Sequence, residues 1–160
     1  VMLKSHKYGK VLTKYTGSSL AGHSWRNNMS KKKLINPPSP RSGKAPFAQG
    51  VQVGETLYVS GQIAQDPNGQ IVGVGDMVAQ AHQVFTNIEG ILIEAGSSLV
   101  DLVKITCYVS DMRHYADYSK VRSEIFPDAD IASATVISPG FVNPDALIEI
   151  EAIAVIGSGN

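Results

Sequence analysis

Apolar residues recur with a regular period only after about residue 34 of this chain. From there, short apolar runs rich in β-branched residues alternate with Gly, Pro and Asn, a pattern that predicts strands joined by turns. Gly54 and Glu55 predict a tight hairpin, and the Asp-Pro-Asn-Gly sequence at 66–69 predicts a second turn. Predicted strands cover residues 49–53, 56–62, 102–109, 132–138 and 147–155.

Two stretches between these strands carry apolar residues at spacings of three and four, the period of an amphipathic helix. The first helix is predicted to follow Asp76, whose carboxylate can cap its amino end, and to stop at Gly96. The second is predicted from about residue 114 or 115 to 126, where Pro127 stops it. The predicted order is therefore β-β-α-β-α-β-β. It defines an α+β sandwich in which both helices cover one face of a single mixed sheet.

The last predicted strand, 147–155, carries two carboxylates in an otherwise apolar run. Because strand side chains alternate between faces, Glu149 and Glu151 share one face while Ile148 and Ile150 line the other. An ionised carboxylate buried without a partner costs roughly several kcal/mol. This face is therefore open to water, which is the commoner case, or it uses one of the carboxylates for chemistry.

The face of the sheet that carries no helix also needs a cover. Apolar residues fall on both faces of the predicted strands, whereas the two helices can cover only one face. Association of identical chains is the simplest way to bury the second face. The pattern thus predicts a homo-oligomer, in which clefts between subunits are natural places for a ligand.

Charge is divided as sharply as hydrophobicity. Residues 1–44 hold ten of the fourteen Lys and Arg and no acid, whereas residues 45–160 hold all fourteen Asp and Glu. We therefore expect a basic, disordered extension over 1–33 and a single domain over 34–160. The acidic body argues against nucleic-acid binding, because contacts to phosphate need clustered Lys and Arg.

The single cysteine, Cys107, excludes an intrachain disulfide and favours a reducing, cytoplasmic location. It lies inside a predicted strand, so a small buried hydrophobe is favoured over a nucleophile. The four histidines lack the spacing of metal ligands, and we expect no metal or cofactor. No apolar run approaches the length of a transmembrane helix, and we expect no membrane association.

Six short motifs follow one another in collinear order within residues 34–156. They lie at 45–50 (Ala-Pro-Phe-Ala-Gln-Gly), 57–62 (Leu-Tyr-Val-Ser-Gly-Gln), 87–88 (Asn-Ile) with 92–96 (Leu-Ile-Glu-Ala-Gly), 103–109 (Val-Lys-Ile-Thr-Cys-Tyr-Val), 111–112 (Asp-Met) and 148–155 (Ile-Glu-Ile-Glu-Ala-Ile-Ala-Val). Together they resemble the RidA (YjgF/UK114) family of reactive-intermediate deaminases. The resemblance implies a chorismate-mutase-like subunit, a homotrimer whose sheets form a central barrel, and three pockets at the subunit interfaces.

In that family the pockets bind 2-imino or 2-enamino acids, and water releases ammonia to leave a 2-oxo acid. The resemblance therefore implies a hydrolase for small-molecule imines or enamines that needs no metal or cofactor. It assigns Glu149 to water positioning or proton handling, and Ser60 and Gly61 to a strand end that contacts the ligand. The chemistry asks little of the protein. A protonated imine carbon is already electrophilic, so substrate and water need only be held in place.

Several positions depart from the family's pattern. Ser133 stands where the family has an arginine that grips the substrate carboxylate, and the motif at 132–135 is Ala-Ser-Ala-Thr. Phe47 replaces a frequent tyrosine, and Ser119 replaces the usual asparagine on the second helix. Arg122, one helical turn beyond Ser119, is a substitute for the missing arginine if it faces the cleft. A lone helix arginine is more often a solvated surface charge.

These features predict an imine or enamine deaminase whose substrate range is altered, with weak hydrolysis of substrates like 2-iminobutanoate. A non-catalytic small-molecule binder or regulator is the alternative, because the grip on the carboxylate is missing. A translation inhibitor or ribonuclease, a label that some family members carry, is poorly suited to the acidic body. The predicted ligand-binding residues are Phe47, Ser60, Gly61, Ser119, Arg122, Ser133 and Thr135.

Overall fold

The computed structural model of the protein describes residues 31–38 and 45–159. Its strands are β1 (Lys33–Ile35), β2 (Gly50–Val53), β3 (Thr56–Ile63), β4 (Leu102–Val109), β5 (Ala132–Ile137) and β6 (Ile148–Val155). They form one six-stranded sheet in the order β1-β2-β3-β6-β4-β5. Neighbouring strands run antiparallel except β4 and β5, which run parallel. The predicted mixed sheet is confirmed.

Two α-helices accompany the sheet, α1 (Met77–Glu94) and α2 (Tyr115–Ile125). Short 3₁₀ helices at Leu99–Asp101 and Met112–His114 lead into β4 and α2. The Asp76 carboxylate accepts a hydrogen bond of 3.0 Å from the Ala79 amide, and Gly96 ends α1 with a φ of +79°. Both predicted boundaries of the first helix are therefore confirmed, and the predicted α+β sandwich is confirmed with them.

The strand β1 was not predicted. It pairs with β2, and its Ile35 side chain is only 1% exposed, so burial of one isoleucine helps to hold a three-residue strand in the sheet. Because Lys33 lies in this strand, regular structure begins within the stretch expected to be disordered. Residues 1–30, which make up most of that expected extension, lie outside the described residues.

The hydrophobic core lies between the helices and one face of the sheet. Alternate residues of β6, from Ile148 to Ala154, are buried there against the apolar side of α1. Cys107 is fully buried in the same layer, and burial raises the pKa of its thiol to about 12. The interpretation of Cys107 as a small buried hydrophobe is confirmed.

One buried polar residue ties the helix layer to the last strand. The Gln80 side chain donates to the carbonyls of Gly73 (3.1 Å) and Asp145 (2.9 Å), and accepts a bond of 2.8 Å from the Leu147 amide. These three hydrogen bonds fix the start of β6 against α1. They therefore set the position of Glu149, two residues beyond Leu147.

The opposite face of the sheet carries Tyr58, Ile153 and Lys104, which lie side by side across β3, β6 and β4. Glu149 and Glu151 point to this face, as the alternation predicted. Tyr58 is 51% exposed there, because both described helices pack on the other face. Within the described ranges, no helix combines the length and apolar character needed to cross a membrane.

Candidate active site

A cleft of about 600 Å³ opens beside the far end of β3. Strand β6 contributes Glu149, the β3 end contributes Gly61, and α1 contributes Asn87. Among the described residues that line it there is no Lys or Arg. The full lining is Pro37, Ala45, Phe47, Gln49, Gly61, Gln62, Ile63, Gln65, Asp66, Pro67, Thr86, Asn87, Gly90, Ile91, Val142 and Glu149.

Glu149 is half-buried in this cleft. Within the part of the chain that the structure describes, its carboxylate makes no hydrogen bond and no ion pair. Burial, and then the negative charge of Glu151, raise the pKa of Glu149 above its ordinary value. A carboxyl group that is partly desolvated, unpaired and open to a cleft is suited to exchange protons with a ligand.

Gly61 makes room for this carboxylate. The register between β3 and β6 shifts between Val59 and Gln62, so that Gly61 lies at an irregularity in the ladder. A Cβ atom added to Gly61 would overlap Glu149 Oε1. The bulge and the missing side chain together let Glu149 approach the β3 backbone.

Two polar residues that support the cleft were quoted in the sequence motifs but were given no role. The Gln62 amide donates to Gln49 Oε1 (3.2 Å) and to the carbonyl of Ser60 (2.9 Å). The Asn87 amide donates to the carbonyls of Ile63 (3.1 Å) and Gln65 (3.0 Å). These bonds hold the bent end of β3, which forms one wall of the cleft. The presence of Gln62 and Asn87 in the quoted motifs was the signal in the sequence that could have pointed to this role.

Of the other predicted residues on this side, Phe47 lines the cleft and is 58% exposed. Ser60 lies next to Gly61, but its hydroxyl donates a bond of 2.8 Å to the Ala48 carbonyl. The Ser60 amide also donates to the Gln49 carbonyl at 2.9 Å. Ser60 therefore fastens the 45–50 segment to β3 and does not line the cleft itself.

The remaining predicted residues meet elsewhere. Arg122 donates from Nη1 to Ser133 Oγ (3.2 Å) and from Nη2 to Ser119 Oγ (3.3 Å), and its guanidinium lies 5.5 Å from the centre of the Tyr118 ring. We call Arg122, Ser119 and Ser133 the arginine cluster. Thr135 lies on the same strand face as Ser133, opposite Cys107 of β4.

Within one chain, the sheet separates the arginine cluster from Glu149. Ser133 pairs with Ile105, whose side chain is buried on the helix face, whereas Glu149 pairs with Tyr108 on the opposite face. The structure thus brings Phe47, Gly61 and Glu149 to one cleft. It places Ser119, Arg122 and Ser133 together at β5, which is one edge of the sheet.

Metal ligands are not grouped in the part of the chain that the structure describes, where no three His, Cys, Asp or Glu side chains are placed to hold an ion. One of these histidines, His82 on α1, faces solvent. Its side chain is half-exposed and lies 3.6 Å from the Glu124 carboxylate of α2.

A mixed sheet with helices on one face, and a glutamate from the last strand beside a glycine bulge, define a compact α+β subunit with a cleft at the sheet end. The family model for Endoribonuclease L-PSP matches residues 39–156. A RutC family protein of Pyrococcus abyssi is 37% identical over 126 residues, which cover 79% of this chain and 98% of that protein.

Solved structures agree. YyfA of Yersinia pestis, described as a member of the conserved Rid protein family, superposes with a TM-score of 0.73 at 29% identity and covers 79% of this chain and 100% of its own. Yeast Mmf1 gives a TM-score of 0.70 at 29% identity, over 79% of this chain and 99% of its own. The chain belongs to this family, the RidA (YjgF/UK114) family that its motifs resemble.

Proposed function

We propose that the protein is an imine or enamine deaminase, a hydrolase that converts reactive imines or enamines to carbonyl compounds and ammonia. The observation that carries this proposal is the half-buried, unpaired Glu149 carboxylate in an open cleft. Burial raises its pKa, and a carboxylate with a raised pKa is the stronger proton acceptor. Glu149 is the proposed catalytic residue.

The proposed reaction begins with a protonated imine bound in the cleft. Glu149 accepts a proton from a water molecule as the water oxygen bonds to the imine carbon and the C=N π electrons move to nitrogen. The carboxyl group then returns this proton to the amino nitrogen of the carbinolamine. The C–N bond breaks, ammonia leaves, and loss of the hydroxyl proton completes the carbonyl group. An enamine enters the same sequence after protonation at carbon.

The exposed sheet face supports a homo-oligomer, and we propose the trimer that the family resemblance implies. Tyr58 and Val136 project from this face and are 51% and 44% exposed. Large apolar side chains that are exposed in this way are stable in water when another copy of the chain covers them. In such an assembly the cleft beside Glu149 lies at or near a subunit boundary, with small-molecule imines as its ligands.

The charge around the cleft favours a small imine over RNA. The cleft is lined by Asp66 and Glu149, and its described lining contains no Lys or Arg. A backbone of phosphates needs clustered cations. We therefore do not propose a ribonuclease activity for this chain, although the matching family model is named for an endoribonuclease.

Ammonia release from freshly generated 2-iminobutanoate tests the proposal, with an amino-acid oxidase supplying the imine. Wild type should accelerate release over buffer, and Glu149→Gln should reduce the rate by about 100-fold or more, because the amide cannot accept the proton. Glu151→Gln is the matched control. It removes the same charge from the exposed neighbouring carboxylate, and it should stay within about threefold of wild type. Equal rates for Glu149→Gln and wild type would overturn the proposal.

A non-catalytic binder is favoured by a different observation, namely the serine at position 133 where the family pattern has a carboxylate-gripping arginine. On this account wild type binds carboxylate or imine ligands without speeding ammonia release. The same assay separates the two functions, because a binder protects the imine or leaves its rate of hydrolysis unchanged.

A further inference from the structure

The cleft beside Glu149 also contains an amide oxygen without a partner among the described residues. Gln62 lines this cleft and is only 9% exposed. Its Nε2 donates to the carbonyls of Ser60 (2.9 Å) and Gly61 (3.2 Å) and to Gln49 Oε1 (3.2 Å). Because backbone carbonyls can only accept, these bonds fix the nitrogen toward β3 and leave Oε1 as the unused polar atom. Gln62 thus offers a buried acceptor to the cleft.

A second acceptor comes from Asp66, in the turn that follows β3. Asp66 Oδ1 accepts a bond of 2.8 Å from the Gln70 amide, and the Asp66 amide donates to the Gln70 carbonyl at 2.9 Å. These two bonds restrict the orientation of the carboxylate. Its other oxygen, Oδ2, makes no hydrogen bond to the described part of the chain, and Asp66 lines the same cleft as Gln62.

The negative charge of the cleft is not neutralised by the residues that the structure describes. Neither Asp66 nor Glu149 lies within 4.0 Å of a basic group there, and both side chains are partly buried. A partly desolvated carboxylate attracts a cation more strongly than a fully solvated one does, because the charges are less screened. The cleft therefore favours a small cation that carries N–H donors.

A protonated primary imine is such a cation. Its nitrogen, =NH₂⁺, has two N–H donors and no acceptor, whereas Gln62 Oε1 and Asp66 Oδ2 can only accept. The carbonyl product has an oxygen in place of this nitrogen and therefore offers no donor. The same two atoms thus distinguish the imine from its product.

We propose that Gln62 Oε1 and Asp66 Oδ2 bind the two N–H groups of the protonated imine, while Glu149 accepts the proton of the attacking water. The inference rests on the proposed deaminase function and narrows its substrate class to primary imines that are protonated when they bind. The negative charge of Asp66 favours the protonated form of the imine nitrogen. The imine carbon therefore stays electrophilic while it is bound.

Three stable ligands of the same shape test this site, namely butanamidinium, butanamide and butanoate. The amidinium carries N–H donors on both nitrogens, the amide carries them on one nitrogen, and the carboxylate carries none. Calorimetric titration of the full chain should show binding that weakens in that order. The difference between the amidinium and the amide should be about tenfold or more, because only the amidinium forms a charge-assisted bond with Asp66.

Two variants assign the binding to these residues. Asp66→Asn keeps an acceptor for the Gln70 amide and removes the charge, so it should weaken butanamidinium by about tenfold and leave butanamide within about threefold. Gln62→Met keeps the length of the side chain and should weaken butanamidinium by about fivefold. Glu89→Gln is the matched control. It removes the same charge from an exposed position on α1 outside the cleft lining, and it should leave both ligands within about twofold.

A purely structural role for Asp66 would weaken the amidinium and the amide alike, and that result would overturn the inference. Equal binding of the two ligands by wild type, or unchanged amidinium binding by Asp66→Asn, would also overturn it. The deaminase proposal is judged separately by ammonia release. If the amidinium binds through Asp66 and no ammonia is released, the cation site stands and the enzyme proposal falls. If ammonia is released and Asp66→Asn changes neither the rate nor amidinium binding, the enzyme proposal stands without this site.

Discussion

Glu149 is the residue at which the sequence says most about chemistry. Strand alternation was sufficient to place it on the face away from the core, and the structure confirms that position. Alternation says nothing about partners, however. The close approach of the Glu149 carboxylate to the β3 backbone depends on the bulge at Gly61, which is a product of tertiary packing.

The raised pKa of Glu149 predicts a pH-dependent effect on stability. Burial and the charge of Glu151 disfavour its ionised form in the folded state. This carboxyl therefore destabilises the fold as pH rises from the ordinary value of 4.5 through the folded pKa, and contributes nothing below that window. Glu149→Gln should raise the thermal midpoint at about pH 7.5 and leave it unchanged at about pH 3.5.

Differential scanning calorimetry at the two pH values measures this effect. Glu151→Gln serves as the control. Its thermal midpoint at neutral pH should rise less than that of Glu149→Gln, because Glu151 is exposed. A lower midpoint for Glu149→Gln at neutral pH would mean that the carboxylate has a stabilising partner in the assembled protein.

Strands and helices were predicted from the spacing of apolar residues and from the positions of Gly, Pro and Asn. The end of β3 has a feature that such local patterns do not predict. The eight residues Thr56–Ile63 have the expected alternation, but the register shift near Gly61 is decided by the pairing with β6. The strand β1 escaped prediction for a similar reason. Three residues with one buried isoleucine are too few to show a strand period, and the segment is a strand because it pairs with β2.

Gly61→Ala probes the bulge directly. The added Cβ would overlap Glu149 Oε1, so the carboxylate must move out of its place in the cleft. We expect ammonia release to fall by about tenfold or more while the protein stays folded. Gly140→Ala is the control, since its Cβ would meet nothing within 4 Å and its activity should match wild type. Full activity of Gly61→Ala would show that the position of Glu149 is not critical.

The link between α1 and β6 depends on Gln80, a polar residue on the buried side of an apolar helix. Gln80→Leu removes three hydrogen bonds, and it takes the Gln80 partner from the Asp145 carbonyl and the Leu147 amide. We expect a loss of about 2–4 kcal/mol in the free energy of unfolding, measured by urea titration. Gln83→Leu, whose side chain donates to Asn87 alone, should cost about 1 kcal/mol or less. If Gln80→Leu and Gln83→Leu lowered the free energy of unfolding by similar amounts, Gln80 would have no special role in this link.

At the scale of the whole molecule, the charge division and the uncovered sheet face were both readable from sequence. The second led to a predicted oligomer, and the structure retains the feature that motivates it, an exposed face that includes Tyr58 and Val136. The assembly itself joins surfaces that are remote along the chain. Neither the position of the arginine cluster at one sheet edge nor that of Glu149 on the opposite face follows from local pattern.

Light scattering should give a mass of about three times the 17.1 kDa subunit in dilute buffer. A trimer would cover the second sheet face with other copies of the chain, and the number three is what the family resemblance implies. A mass equal to one chain would contradict the proposed assembly.

The central claim is that Glu149 is the proton-accepting residue of a deaminase cleft. Ammonia release from freshly generated 2-iminobutanoate tests this claim most directly, with Glu151→Gln as the matched control. Glu149→Gln should lose about 100-fold or more of the wild-type rate, whereas Glu151→Gln should stay within about threefold of wild type. A rate for Glu149→Gln equal to that of wild type would contradict the claim.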